Sequence, residues 1–346
     1  MTHTHRICLA WAGKMALAFI VVLGMTGHAV AEGLQEPALR TAASLDESHK
    51  PANVPDDYVI TPNGFFPASC VQHLQPKERV LKDGSIEASD GTHRLVTACS
   101  QPRYTIHGVK IEADSSASAS PSARGESRVS DDNGWIVSTY YPANVAIGKI
   151  SSTWTVPAAP TNYNPNAYFF FFNGLDQNTS NANNAWTILQ PVLDWNNFGE
   201  GYHMTNWNCC LNGVEYYNGP FDVNSGDAIL GTITSTCSQN TCSGNSAVIT
   251  STDETTGESL SYSTDAYNWL QYAVSATLEA YGMSSCSEYP ASKSVQFYNI
   301  GLWDVNGNYI GSSSLFQPEY EVSSGDLQCG FNVSVSSSNA TLSWTP

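Results

Sequence analysis

The sequence has almost no basic side chains in its C-terminal two thirds. From Asp131 onward it holds eighteen aspartates and glutamates, but only Lys149, Lys293 and a single histidine, His203. This part carries nearly all of the chain's formal net charge of −17. A surface of that charge repels nucleic acid and anionic membranes, so we expect neither as a partner. Because few groups would gain positive charge in acid, the composition also favours a protein that works at low pH.

The motifs of several enzyme classes are missing as well. The chain has no G-x-S-x-G elbow, no H-E-x-x-H metal motif, no P-loop and no dinucleotide fingerprint. Past Asp131, a Ser-His-Asp triad would have to use His203, and histidine is protonated in acid. We therefore expect His203 to be structural, and any chemistry to rest on carboxylates and amides, with no metal and no cofactor.

Long apolar runs are absent too, since no stretch reaches the ~18 to 20 residues of a membrane-spanning helix. The N-terminus has the pattern of a signal peptide instead. Arg6 and Lys14 precede the apolar run 15–25, and residues 29–31 are small, as at a cleavage site. We expect residues 1–31 to be removed and the product to be secreted.

Eight cysteines remain after the signal peptide, and an even number in an exported protein predicts disulfides. Two local bridges are plausible: Cys70–Cys99 and Cys237–Cys242. The adjacent Cys209 and Cys210 either bond to each other or connect to Cys286 and Cys329. No histidine has zinc-ligand spacing to these thiols, which argues against a zinc site.

The basic residues are concentrated before Asp131. Residues 32–130 hold ten of the fourteen lysines and arginines against thirteen acids. We predict a pro-region or small accessory segment at 32–113, a Ser/Ala-rich linker at 114–130 that exposes Arg124 and Arg128 to proteases, and a catalytic domain at 131–346. The bases of the pro-region would attach to the acidic domain at neutral pH and separate as its carboxylates protonate.

After Asp131 the pattern is one β-rich segment after another, with turns every ten or so residues and no helical period. The predicted strands are 150–156, 168–172, 185–195, 228–234, 247–252, 270–281, 295–303 and 340–344. Within 270–281, alternation places Val274 and Leu278 on one face and Thr277 and Glu279 on the other. This predicts an all-β, antiparallel β-sandwich or jelly roll.

Two polar residues stand out in these strands. Gln190 lies inside the apolar run 188–193, where a buried amide without partners costs on the order of 1–3 kcal/mol. Glu279 shares its face with Ser275 and Thr277. Taken separately, Gln190 could be a hydrogen-bonded core amide and Glu279 a solvent-facing strand residue, so neither position alone indicates a function.

Taken together with their neighbours, they form an ordered set of short motifs. The set comprises Trp135, Trp154-Thr155-Val156-Pro157, Phe172-Asn173-Gly174-Leu175-Asp176, Ile188-Leu189-Gln190 with Asp194-Trp195 beyond it, and Thr277-Leu278-Glu279-Ala280-Tyr281. In type and order it resembles the glutamic peptidases (eqolisins), over about residues 133 to 345. The resemblance implies a sandwich of the concanavalin A-like lectin/glucanase type and a secreted acid endopeptidase.

The resemblance also implies roles for single residues. Glu279 would be the general base that activates a water, with surroundings that keep its pKa low. Gln190 would orient that water and stabilise the oxyanion. Trp135 and Phe172 would line the substrate cleft, and Asp176 would support the pair by hydrogen bonding. A polypeptide is then the expected substrate, and we expect a monomer.

Two other functions stay open at this point. Glu215-Tyr216-Tyr217 resembles the nucleophile strand of jelly-roll xylanases, with Glu279 as acid/base, although the Gly- and Asn-rich sequence around Glu215 predicts a turn. The alternative is a non-catalytic carbohydrate-binding or cell-surface sandwich, in which the aromatic residues are mostly core.

Overall fold

The computed structural model describes residues 38–47, 49–112, 134–177, 188–236, 246–265, 270–322 and 325–346. Within these ranges the chain forms strands and short 3-10 turns but no α-helix, and hence no helix that could span a membrane. The predicted signal peptide, the predicted linker and the predicted Cys237–Cys242 bridge lie outside the described residues. All described residues belong to one unit, Pro37–Pro346.

The N-terminal segment, residues 38–112, contributes eight short strands. They are β1 (Tyr58–Thr61), β2 (Gly64–Pro67), β3 (Val71–His73), β4 (Arg79–Val80), β5 (Ile86–Glu87), β6 (His93–Arg94), β7 (Arg103–Tyr104) and β8 (Lys110–Ile111).

The remaining strands are mostly longer. They are β9 (Trp135–Pro142), β10 (Ile147–Thr155), β11 (Tyr168–Gln177), β12 (Ile188–Trp195), β13 (Tyr202–Leu211), β14 (Val214–Val223), β15 (Ala228–Ser235), β16 (Ser246–Asp253), β17 (Ser259–Asp265), β18 (Leu270–Tyr281), β19 (Ser294–Asp304), β20 (Tyr309–Gly311), β21 (Gln317–Tyr320), β22 (Asn332–Val335) and β23 (Asn339–Ser343).

These strands form three sheets. The front sheet has the order β21-β9-β18-β11-β12-β13-β14-β3, and the back sheet has the order β22-β23-β19-β10-β15-β16-β17-β4-β5-β6, with β20 paired to β19. A smaller cover sheet has the order β1-β2-β7-β8. The predicted all-β sandwich is confirmed: the front and back sheets enclose the main core, and their neighbouring long strands are antiparallel.

Alternation decides which side chains fill that core. On β11, Phe171 lies between Leu193 of β12 and Leu278 of β18, and all three are fully buried. The back sheet contributes Trp154 and Phe297, whose rings are 5.0 Å apart. Burying each such side chain contributes ~1.5–3 kcal/mol, so this layer supplies much of the stability.

The alternation predicted for 270–281 is wrong at Ala273 and Val274. A register irregularity between Val274 and Ala276 shifts the pattern of β18. As a result Ala273 joins the main core, whereas Val274 packs in the second cluster, beneath the cover sheet. An extra residue in one strand reverses the faces on one side of it, and period-2 counting does not detect that.

The N-terminal segment extends both large sheets and covers one of them. β3 pairs in parallel with β14, and β4 pairs in parallel with β17. Apolar side chains of β1, β2 and β7 pack onto the face of the front sheet that points away from the main core. We call that side the front face. β12 is consequently buried along both faces, as its apolar sequence predicted.

Three disulfide bonds lie within the described residues. Cys70–Cys99 lies within the N-terminal segment, as predicted. The open question about the other four cysteines is resolved as Cys209–Cys210 and Cys286–Cys329.

Candidate active site

Gln190 and Glu279 lie on the front face, both fully buried. Gln190 belongs to β12 and Glu279 to β18, with β11 between them. Strands in a sheet are spaced by ~4.8 Å, so the two backbones are on the order of 10 Å apart and their side chains project on the same side. The strand order thus places two residues that are far apart in sequence on one face, and the register sets Glu279 level with Phe170 and Asp194, four residues along β12 from Gln190.

Glu279 is held by its own strand. The Tyr281 hydroxyl donates to Glu279 Oε1 at 2.6 Å, whereas Oε2 has no hydrogen-bond partner among the described residues. Gly134 packs beside the carboxyl with φ +83°, and a Cβ there would lie 3.3 Å from Oε1. This close approach at a left-handed backbone position explains why a glycine precedes Trp135.

The expected low pKa of Glu279 is wrong for the covered protein. Burial raises its pKa well above the ordinary value, and the hydrogen bond from Tyr281 offsets only part of that shift. The nearby charges of Glu215 and Glu321 raise it further. The sequence-based expectation did not include the N-terminal segment, which excludes water from this carboxyl.

One side-chain amide atom of Gln190 has a hydrogen-bond partner, and the other has none among the described residues. Its Oε1 accepts a hydrogen bond from Asn63 Nδ2 at 3.2 Å. Nothing in the described parts of the chain accepts from its Nε2, which is buried. A buried N–H without an acceptor costs ~1–3 kcal/mol, so an orphan donor at this position indicates a role other than packing.

Glu215 is a third polar residue on this face. The turn predicted around it is wrong, because Glu215 is the second residue of β14 and is fully buried. Its Oε1 accepts from Asn63 Nδ2. Burial raises its pKa to about 7, against hydrogen bonds from Thr61 and Asn63 and the charge of Arg103.

The tip of the β1–β2 hairpin covers all three residues. Pro62 and Asn63 form the turn, Gly64 begins β2, and Phe65 packs edge-on against Tyr281 with ring centroids 5.6 Å apart. Proline at the second position and glycine at the fourth are typical of a β-turn, so Thr61-Pro62-Asn63-Gly64 between two apolar runs predicts a hairpin. Nothing in the sequence indicates which face the hairpin covers.

The other predicted site residues also lie on the front sheet. Trp135 on β9 is the register neighbour of Glu279, and its ring packs edge-on against Phe172 at 5.6 Å. Both rings are buried beneath the cover sheet. Asp176 is half-buried near the other end of β11, opposite Ile188 and therefore two residues along β12 from Gln190. Its predicted hydrogen bond to the pair stays a prediction.

His203 pairs with Asp194, a carboxylate of the motif set to which no role was assigned. Its Nδ1 lies 3.4 Å from Asp194 Oδ1, and its Nε2 lies 3.5 Å from Asp222. Burial lowers the pKa of His203, but the hydrogen bond and charge of Asp194 outweigh it, so the net shift is upward. For Asp194, burial raises the pKa, and the hydrogen bond and charge of His203 offset part of that increase. This is the behaviour of a structural ion pair.

Ion pairs connect the N-terminal segment to the sandwich within the described parts of the chain. Arg79 lies 3.3 Å from Asp265, and His107 lies 3.8 Å from Asp326. The other paired bases of the segment contact acids of the segment itself: Lys50 contacts Asp56, Arg94 contacts Glu78 and Lys110 contacts Glu112. Apolar packing and strand pairing therefore hold the segment in addition to these ion pairs.

Comparison with known proteins gives matches among solved structures only. No protein-family model matches the chain, and no curated protein does. The fold is similar to that of Scytalido-glutamic peptidase with a peptide-based transition state analog, with 18% identity and a TM-score of 0.44 over 61% of this chain and 98% of that one. It is also similar to SCP-B, a member of the eqolisin family of peptidases in a complex with the tripeptide Ala-Ile-His, with 19% identity and a TM-score of 0.43 over the same shares. These are members of the family that the sequence motifs resemble.

Proposed function

We propose that this protein is a secreted acid endopeptidase in which Glu279 and Gln190 hydrolyse peptide bonds with an activated water. The observation that carries the proposal is the pair of unsatisfied atoms on one buried face, the donor Gln190 Nε2 and the acceptor Glu279 Oε2. A buried polar atom without a partner calls for an explanation, and a substrate or water that bonds to it is one.

Each residue then has a role that its chemistry supports. Ionised Glu279 takes a proton from water, which attacks the scissile carbonyl. Gln190 donates its amide N–H to the developing oxyanion, and an amide remains a neutral donor in acid. Glu279 finally returns the proton to the leaving amine. Trp135 and Phe172 supply an apolar wall beside Glu279 for the substrate chain.

Removal of the N-terminal segment belongs to the same proposal. With the hairpin in place, Glu279 is buried and its pKa is raised, so the base is protonated and out of reach of a substrate. Cleavage within 114–130, followed by release of the segment, would uncover the face. Glu279 would then regain water contact and a lower pKa.

The decisive experiment is digestion of an acid-denatured protein at pH 2–5. Trypsin can first cut the folded full-length chain, because Lys149 and Lys293 are the only cleavage points beyond Asp131. We expect activity in the wild type and a loss of at least 100-fold in Glu279→Gln and in Gln190→Ala, the usual scale for removing a general base or an oxyanion donor. Glu258→Gln, at an exposed carboxylate, is the matched control. Full activity in both dyad variants would eliminate the proposal.

A glycosidase is the second candidate, because Glu215 is buried on the same face as Glu279. A retaining pair needs carboxyl groups about 5–5.5 Å apart. The strands β14 and β18 are four spacings apart, on the order of 19 Å at the backbone, although the charge of Glu215 acts on the carboxyl of Glu279. Gln190 lies on β12, between them, and is closer to Glu279 in strand order. This arrangement favours Gln190 as the partner of Glu279. Xylan hydrolysis that is lost in Glu215→Gln would reverse that preference.

A further inference from the structure

The N-terminal segment places a carboxamide between two acceptors of the front face. Asn63 Nδ2 donates to Gln190 Oε1 at 3.2 Å and also to Glu215 Oε1. Because one nitrogen contacts both, the two oxygens are within two hydrogen-bond lengths of each other. All three residues are fully buried. Two acceptors from different strands therefore converge on a single donor next to the proposed dyad.

The position of this carboxamide is fixed by the backbone that carries it. Arg103 donates to the Asn63 carbonyl at 3.0 Å, and the Asn63 N–H donates to the Thr61 hydroxyl at 3.2 Å. These contacts belong to the segment, whereas both acceptors of the side chain belong to the sandwich. Removing the segment takes away the donor and leaves the acceptors where they are.

We propose that Gln190 Oε1 and Glu215 form a subsite for a carboxamide side chain, asparagine or glutamine, of the polypeptide substrate, and that Asn63 occupies this subsite while the segment is in place. This inference rests on the proposed peptidase function. A site built to hydrogen-bond its ligand rejects an analogue that lacks the donor, because the buried acceptors are then left unpaired.

The chemistry of Glu215 favours an amide over other polar side chains. Its ordinary pKa is 4.5, and burial raises it to about 7 in the covered form, so at pH 4 it is mostly a neutral carboxyl with one donor and one acceptor, with or without the segment. A carboxamide presents the same two functions and pairs with it. A lysine offers only donors and would bring a charge into a dry site, which is costly.

Aromatic side chains form one wall of this subsite. Trp207 is the register partner of Gln190 across β12 and β13, and its ring stacks on Tyr217 with centroids 4.7 Å apart at 21°. Both rings belong to the apolar cluster beneath the cover sheet. A planar amide and its methylene groups can pack against this face while the amide N–H reaches Gln190 and Glu215.

The test measures binding, with catalysis disabled. The full-length Glu279→Gln chain is folded, cut with trypsin and freed of its segment. Hexapeptides that differ only by Gln, Asn, Met or Lys at one position are then titrated at pH 4. We expect the Gln or Asn peptide to bind about tenfold more tightly than the Met peptide, and Glu215→Leu to abolish that difference. The exposed Glu258→Gln is the matched control and should leave the preference intact.

A second variant covers the case in which Glu215→Leu does not fold. Glu215→Gln keeps the volume and the neutral form, so the Gln-peptide preference should persist at pH 4. Between pH 4 and pH 8, ionisation of Glu215 should tighten binding of the Lys peptide about tenfold, and Glu215→Gln should remove that gain. Equal affinity for Gln, Asn and Met peptides, or tightest binding of Lys at pH 4, would overturn the subsite.

Cleavage separates this inference from the function on which it rests. If the processed protein with intact Glu279 cleaves peptides but without preference among these side chains, the endopeptidase proposal stands and the subsite falls. If the amide preference appears in binding while the same protein cleaves no peptide between pH 2 and pH 5, the catalytic proposal falls and the binding site stands.

Discussion

Tyr281 donates its hydroxyl to Glu279 Oε1 at 2.6 Å, from two positions along the same face of β18. The bond stabilises the ionised carboxyl and is the strongest influence that lowers the pKa of Glu279 against burial. In the proposed mechanism this is the contact that keeps the general base usable in acid. Phe65 of the N-terminal segment packs on the ring of the same tyrosine. The cover sheet and the proposed general base Glu279 therefore both contact Tyr281.

We predict that Tyr281→Phe raises the pKa of Glu279 in the processed enzyme. A hydrogen bond to a charged group contributes ~1.5–3 kcal/mol, which corresponds to a shift of about one to two units. The acidic limb of the kcat/KM profile should therefore move to higher pH, with little change at the optimum. Tyr309→Phe, at a ring 58% exposed, is the control. An unmoved acidic limb would show that this bond does not tune the base.

The stability of the covered form should depend on pH in the opposite sense to the prediction from composition, which was that the segment separates in acid. Glu215 has its pKa raised from 4.5 to about 7, and that of Glu279 is raised as well, both chiefly by burial. A group with a raised pKa in the folded state stabilises that state fully below the unfolded value, and its contribution is lost as pH rises through the folded value. The covered form should thus be most stable below about pH 4.5 and weaken toward pH 7 and above.

Limited proteolysis of the full-length chain tests whether the covered form becomes less stable as pH rises. The rate at which the segment becomes cleavable should increase between pH 5 and pH 8, with a protease of flat pH response, and Glu215→Gln should reduce the increase. For a shift from 4.5 to about 7, the effect is on the order of 3 kcal/mol. Faster release at pH 4 than at pH 7 would restore the charge-attraction account.

Most of the sandwich could be predicted from sequence, because its strands have a local pattern. The predicted 270–281 and 228–234 correspond to strands Leu270–Tyr281 and Ala228–Ser235. What failed depends on distant partners. Glu215 has Gly and Asn residues around it, and only pairing with β13 and β3 makes its segment a strand. The raised pKa of Glu279 likewise comes from a hairpin more than 200 residues earlier in the chain.

Gly64 should be required for the hairpin that reaches the site. Its φ is +111°, and a Cβ would lie 2.4 Å from the Tyr104 carbonyl oxygen. Gly64→Ala combines backbone strain with a steric conflict, so we expect ~1–3 kcal/mol of lost cover stability and faster loss of the segment to trypsin. Gly91 has a similar φ of +81°, but a Cβ there would have no atom within 4 Å. Gly91→Ala therefore measures the effect of backbone strain without a steric conflict. Equal effects of both substitutions would show that the approach to Tyr104 is unimportant.

The Cys70–Cys99 bridge should secure the cover rather than the sandwich. It spans 29 residues of the segment, and Cys99 N donates to the Asn212 carbonyl in the β13–β14 turn at 3.0 Å. A loop of that size corresponds to ~3–4 kcal/mol in the chain-entropy account. The double variant Cys70→Ala/Cys99→Ala should therefore lose its segment to trypsin at least tenfold faster than the wild type. Cys286→Ala/Cys329→Ala, which opens a bridge inside the sandwich, should instead lower the melting temperature of the processed protein. If the first double variant keeps its segment as long as the wild type does, packing and strand pairing alone hold the cover.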